Sequence, residues 1–266
     1  MTEHGSASHN PTSMKPLFNV FALGLLVQFA AGFALGQVPS LGAPGSGVSV
    51  AFIKLFGGAT TFTAKVDAKV LSSDRDPWLT LPMQAAASDE KLQLELLLEN
   101  LKGKDVPEMA IANLKQVGMG RVITLVLPAK KASYIVYPGI SSYVRTPFEK
   151  EALEENAQFE IEKTELGKER IGVNDCTKNR VRVSAKGVVL LEATTWNVAS
   201  LRGFPVRIET AEGGRTLVMD FSEVQFVKPA SSKFEVPADY TEYANAQALM
   251  LGIMKRMAGE ASLNSK

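Results

Sequence analysis

The stretch FTAKVDAKV, residues 62–70, decides the fold class. Phe62, Ala64, Val66, Ala68 and Val70 alternate with Thr63, Lys65, Asp67 and Lys69, a period of two that turns one set of side chains to an apolar interior and the other to water. This is a strand with one wet face. Leu92, Leu94, Leu96 and Leu98 alternate in the same way with Lys91, Gln93, Glu95 and, after one break at Leu97, Glu99, which predicts a second half-buried strand. Between the two, Trp78 to Ala87 reads as a strand as well. Pro82 has no N–H to give a ladder, so it places that strand at an edge or a bulge.

Working outward, the period changes only where helices interrupt. Val48, Ala51, Phe52 and Leu55 fall at i, i+3, i+4 and i+7, with Ser46 as N-cap and Gly57-Gly58 as the stop. Pro107 to Val117 carries Ala110, Ile111, Leu114 and Val117 on one face, with Asp105 near its N-cap and Gly118 and Gly120 ending it. Arg121–Leu127, Ala132–Tyr137 and Tyr143–Arg145 then read as strands. The acidic run from Thr146 to Asn156 fits either a short surface helix or a loop. The C-terminal half is a series of hairpins: Phe159–Glu165, Asn179–Ser184, Val188–Thr195, Phe204–Thr210 and Thr216–Val227, separated by glycine turns. Strands at this spacing make an antiparallel sheet. A last helix, about Thr241 to Ala258, presents Ala246, Leu249, Met250, Ile253, Met254 and Met257 as a stripe that docks on the sheet.

Composition excludes several function classes. With 45% hydrophobic and 21% charged residues the chain is neither disordered nor a multi-span membrane protein. Its 29 Lys plus Arg against 28 Asp plus Glu leave a net charge of +1, too little basic excess to expect a nucleic-acid partner. Residues 17–35 carry no charge, with Lys15 before them and no further Lys or Arg until Lys54. Residues 1–36 therefore read as a signal peptide. Ala34-Leu35-Gly36 supplies the small residues a signal peptidase accepts, so cleavage is expected near Gly36 and the protein in the periplasm or secreted. The competing reading is an uncleaved anchor. Met14-Lys15 is the more usual start, which makes the residues before Met14 an extension. Residues 37–46 follow as a Gly/Pro/Ser-rich linker. Both histidines, His4 and His9, lie in the segment to be removed, and Cys176 is the sole cysteine. Triads that need imidazole, His-ligated metals, intramolecular disulfides and thiolate clusters are all unavailable to such a mature chain. No catalytic residue, metal ligand or cofactor is expected, and the chain reads as a binding protein rather than an enzyme.

Several short words resemble the LolA/LolB-like superfamily of periplasmic lipoprotein carriers: Phe62-Thr-Ala-Lys-Val66, Tyr134-Ile-Val-Tyr-Pro-Gly139, Gly172-Val-Asn-Asp-Cys-Thr-Lys178 leading into Arg180-Val181, Thr195-Trp196 with Gly203-Phe-Pro-Val206, and Phe234-Glu-Val-Pro-Ala-Asp-Tyr240. The resemblance implies a mainly β fold, an unclosed antiparallel half-barrel over residues 47–240 whose concave apolar side is covered by a few helices, with residues 241–266 as C-terminal helix and tail. It implies a lipid or lipoprotein acyl chain as ligand and transient membrane contact at most. The lining residues expected are Phe62, Val66, Leu94, Leu96, Leu125, Tyr134, Val136 and Trp196, with Met109, Ile111 and Leu114 from the middle helix as a lid. For each of them, permanent core is the competing reading. The alternative function is an envelope sensor or interaction module that grips another envelope protein through the lid helices or the Met-rich last helix. No lipobox Cys is present, and no single Arg matches the carrier's latching arginine.

Overall fold

The computed structural model describes residues 47–104, 106–148, 159–212 and 215–263; the expected signal peptide and linker, Asp105 and most of the acidic run lie outside them. Among the described residues three helices, α1 (Gly47–Lys54), α2 (Glu108–Gln116) and α3 (Ala246–Leu263), accompany thirteen strands. These are β1 (Phe62–Leu71), β2 (Pro77–Ser88), β3 (Lys91–Leu97), β4 (Lys102–Gly103), β5 (Arg121–Leu127), β6 (Ala132–Tyr137), β7 (Ser142–Pro147), β8 (Phe159–Ile171), β9 (Asn174–Ala185), β10 (Val188–Val198), β11 (Phe204–Glu212), β12 (Arg215–Gln225) and β13 (Thr241–Tyr243). All belong to one sheet, in the order β13-β7-β6-β5-β3-β2-β1-β12-β11-β10-β9-β8, with β4 beside β2. Its two ends, β13 and β8, do not meet. The fold is the mainly β, unclosed half-barrel with few helices that the sequence led us to expect.

Three local expectations are corrected. Pro82 sits in a central strand, between β1 and β3, rather than at an edge of the sheet. Its partner on one side is Asp67, while on the other β3 pairs only from Met83 and β4 only up to Thr80, so the proline occupies a gap in the ladder. The last helix begins at Ala246, not Thr241, because Thr241, Glu242 and Tyr243 add to β7 as a parallel strand. Asn245 then caps the helix, its Oδ1 accepting the Ala248 N–H at 2.8 Å. Thr146 and Pro147 finish β7, so that end of the acidic run is strand.

Residues directly opposite in a ladder share a face, so the register sorts every strand residue. The face that carries Phe62, Val66 and Val70 packs against helices, and we call it the inner face. Near α1 it is filled by rings: Phe56 lies 4.9 Å from Phe62 and 5.5 Å from Phe221, and Phe204 lies 4.9 Å from Phe62. The second and third of these pairs meet edge to face, a geometry that adds to the area they bury. Across β5–β7 the cover changes, with Leu114 of α2 and Leu249 and Ile253 of α3 joining the same apolar cluster. Where α2 ends, Gly118 and Gly139 touch backbone to backbone. A Cβ on Gly139 would overlap the Gly118 carbonyl oxygen, and Gly118 itself has φ +81, so both positions require glycine.

Candidate functional site

On β1, β2, β3, β5, β6 and β7 the inner face carries no charged side chain. Its cross-strand rows are Phe62–Ala87–Leu92–Val126–Ser133–Thr146, then Ala64–Ala85–Leu94–Thr124–Ile135–Val144, then Val66–Met83–Leu96–Val122, which Tyr137 and Ser142 continue. Such a face is expensive to leave in water and has nothing to repel an apolar ligand. It is not sealed throughout. Met83, Leu96 and Thr124 are only half-buried in the middle of the wall, and Ile111, Val117 and Met250 from the helical side are half-buried too.

The sequence-predicted lining residues divide between two faces. Phe62, Val66, Leu94 and Leu96 share the inner face. Phe62 and Val66 are locked in the core at 0% and 2% exposure, whereas Leu96 is half-exposed on the wall. Leu125, Tyr134 and Val136 point to the outer face, where they form a second cluster with Ala86, Leu127, Ala132 and Phe234. Leu125 lies opposite Gln93, one position out of phase with the inner Leu92 and Leu94, and Tyr134 lies opposite Leu125. Trp196 pairs with Lys178 and Arg207, on the side of its strand away from Thr195 and Ile208. Of the lid residues, Leu114 is fully buried and Ile111 half-buried, but Met109 is 65% exposed and covers nothing.

The outer cluster is covered by chain. After β12, residues 226–240 cross the outer side as a strap, with a 3₁₀ turn at Ser231–Phe234 that buries Phe234 in this outer cluster, while Val236 and Tyr240 pack against it. Tyr143 donates to Glu242 at 2.8 Å, which ties β7 to β13 and raises the tyrosine pKa. Two open clefts flank the strap, one of about 310 Å³ beside Lys91, Lys130 and Phe234, the other of about 220 Å³ beside Gln93, Arg121 and Tyr240.

On the far wing the outer face is ionic. Arg207 grips Asp220 through two nitrogens, Arg75 grips Glu209 in the same way, and Arg182 reaches both Glu162 and Glu192. Trp196 is stacked into this ladder: Lys178 lies 4.9 Å and Arg207 5.8 Å from its ring, and its indole N–H donates to Glu169 at 3.0 Å. That hydrogen bond, with Lys178, holds the Glu169 carboxyl below its usual range. Cys176 is buried beside it, and burial pushes its thiol up, away from the reactive thiolate. Among the described residues no group of three or more His, Cys, Asp or Glu is placed to hold a metal ion, and no helix is long and apolar enough to cross a membrane.

Sequence reasoning missed Met83, Thr124, Ile135, Ser133 and Tyr137 on the inner wall. Thr124 and Ile135 are found by register from Leu94; the run RVITLVL alone has apolar residues at both phases.

No protein-family model matches the chain, and no curated protein does. Solved structures similar to it include one from the superfamily its short words resemble and two mycobacterial proteins. One is a LolA superfamily protein from Nitrosomonas europaea, 12% identical over 70% of this chain and 96% of that one, at a TM-score of 0.36. Another is the lipoprotein LppX of Mycobacterium tuberculosis, 12% identical over 71% and 97%, at 0.35. A third is LprF from Mycobacterium bovis, 14% identical over 72% and 96%, at 0.31. Likeness at these TM-scores says nothing of function, and the character of the site rests on this chain's own register and burial.

Proposed function

We propose that this protein is a non-catalytic carrier that holds an apolar ligand, such as a lipid or lipoprotein acyl chain, against the inner face of its unclosed sheet. The observation that carries the reading is the absence of charge on the inner face of six strands, combined with a roof made of helices instead of a second sheet. Two sheets pressed face to face interlock along their whole length. A helical roof touches only a stripe, and Met83 and Leu96 are left only partly buried. The uncharged residues 17–35 support export, which would bring the protein to envelope lipid.

The test is native mass spectrometry of the full chain purified from its own envelope, before and after delipidation. Co-purifying lipid that is lost from a Leu96→Glu variant, with the circular dichroism unchanged, is the expected result. An interior that carries no lipid under any condition overturns it.

A second reading is favoured by one observation. Met109 on α2 and Leu251 and Met254 on α3 are 65%, 52% and 49% exposed, so the helices present apolar surface outward as well as inward. That surface suits a protein partner in the envelope. Crosslinking through positions 251 and 254 in cells, with the inner wall blocked by Leu96→Glu, separates the two: a specific protein adduct that survives the block favours the interaction module.

A further inference from the structure

Two hydroxyls on the inner face of β6 are buried without a partner. Ser133 and Tyr137 are 2% and 0% exposed, and neither Ser133 Oγ nor the Tyr137 hydroxyl makes a hydrogen bond. Native interiors pair nearly all such groups, because a buried donor left without an acceptor forfeits its hydration for nothing. The two differ in their freedom. A serine hydroxyl can rotate toward a backbone carbonyl of its own strand, whereas a phenol is held rigidly away from its main chain. Tyr137 is therefore the donor that needs a partner from elsewhere.

Its place in the register says where that partner comes from. Tyr137 continues the row Met83–Leu96–Val122, and Met83 and Leu96 are the half-buried stretch of the wall. Leu96 is two strands away, about 10 Å at ordinary strand spacing. Opposite Tyr137, Ser142 spends its own hydroxyl on the Ile140 carbonyl at 2.8 Å. A chain that lies on Leu96 and displaces the apolar cover beyond it, over Val122, can thus bring an oxygen to Tyr137.

The surroundings select the kind of oxygen. A pure hydrocarbon would leave the phenol unpaired. A free carboxylate would give up its hydration on a face where six strands offer no cation to pair the buried charge. An uncharged acceptor meets both conditions. We propose that the inner face over β5–β7 selects long-chain acyl esters, the Tyr137 hydroxyl donating to the ester carbonyl. This rests on the carrier reading above and adds the ligand class and the residue that reads it.

The experiment uses the delipidated full-length protein and two probes that differ at one atom pair, 1-monooleoylglycerol and its ether analogue 1-O-oleylglycerol, with oleate as the charged control. Wild type is expected to bind the ester about five- to tenfold tighter than the ether, as one made hydrogen bond implies, and oleate no tighter than the ether. Tyr137→Phe is expected to erase the preference by weakening the ester alone, while Ser133→Ala keeps it. Equal binding of ester and ether by wild type overturns the proposal and leaves the carrier reading intact, as does a preference that survives in Tyr137→Phe. If that variant does not fold, the ester-to-ether ratio of wild type decides by itself. Failure of wild type to bind any of the three overturns the carrier reading as well.

Discussion

β6 and β8 stand near opposite ends of the same sheet and are buried in opposite ways. Every residue of β6 is buried, while no residue of β8 is. The difference lies in how each end is protected. β6 has helices on its inner side, the strap on its outer side, and β7 and β13 beyond it. β8 is the last strand, and it protects itself. Its Lys163 and Glu165 stand opposite the inner residues Val181 and Asn179, an irregularity between Glu165 and Gly167 breaks its pairing, and Glu162 faces Arg182. Inward charges and broken register are what keep an open edge from templating another strand. One end is shielded by chain and the other by charge, and the two should answer substitution on different scales.

The largest effect is expected at the strap. Phe234 is 3% exposed and is the ring that seats the strap, so Phe234→Ala should cost about 3–5 kcal/mol in urea unfolding. A cost below about 1 kcal/mol would mean that the outer face of β5 and β6 does not depend on its cover.

Next comes the inner side of β6. Burial raises the Tyr137 pKa far above its ordinary value of 10.0. The unfolded chain loses this proton near pH 10 while the folded chain keeps it, so the stabilisation is complete below that pH and is lost as pH rises. Wild type should lose about 1.4 kcal/mol per pH unit above pH 10 relative to Tyr137→Phe. Urea midpoints of the two proteins measured at pH 9 and pH 10.7 check this, and parallel curves would show the phenol to be hydrated.

The ionic wing should be far less sensitive. Arg182 reaches Glu162 and Glu192 from a side chain that is 45% exposed, so Arg182→Ala should cost at most about 1 kcal/mol and less at high salt. Smallest of all is the stability change expected from Lys163→Val with Glu165→Val, within about 0.5 kcal/mol. Its effect belongs elsewhere: light scattering should report self-association that wild type lacks, and a monodisperse double variant would show that the charges on β8 do not guard the edge.

Alternation made the strands around Phe62 and Leu94 legible, because one face there is apolar and the other carries Lys65, Asp67, Lys69 and Glu95. It could not place Leu125, Tyr134 and Val136, since ASYIVY is buried at both phases and the segment that covers its outer face is about 100 residues away in sequence. A period of two says that faces alternate and leaves open which face is which; only pairing with a strand of known sense decides. Trp196 misled for a related reason. An indole on an alternating strand reads as the lining of an apolar groove, but Trp196 is buried at 4% exposure beneath Lys178 and Arg207 with its N–H on Glu169. The third miss was the start of the last helix, where Thr241–Tyr243 are taken by β7 before helix spacing begins.

The C-terminal tail runs along one side of the sheet, hooks over its rim through the three parallel pairs of β13, and comes back along the other side as α3. That hook acts as a buckle on a single belt. If, as proposed, a cargo on the inner face lifts α3, the segment that must give is the three residues of β13, which join α3 to the strap. The amide protons of Thr241 and Tyr243 are then the place to watch: they should exchange faster in the loaded protein, announcing the contents of the interior on the surface that faces away from it.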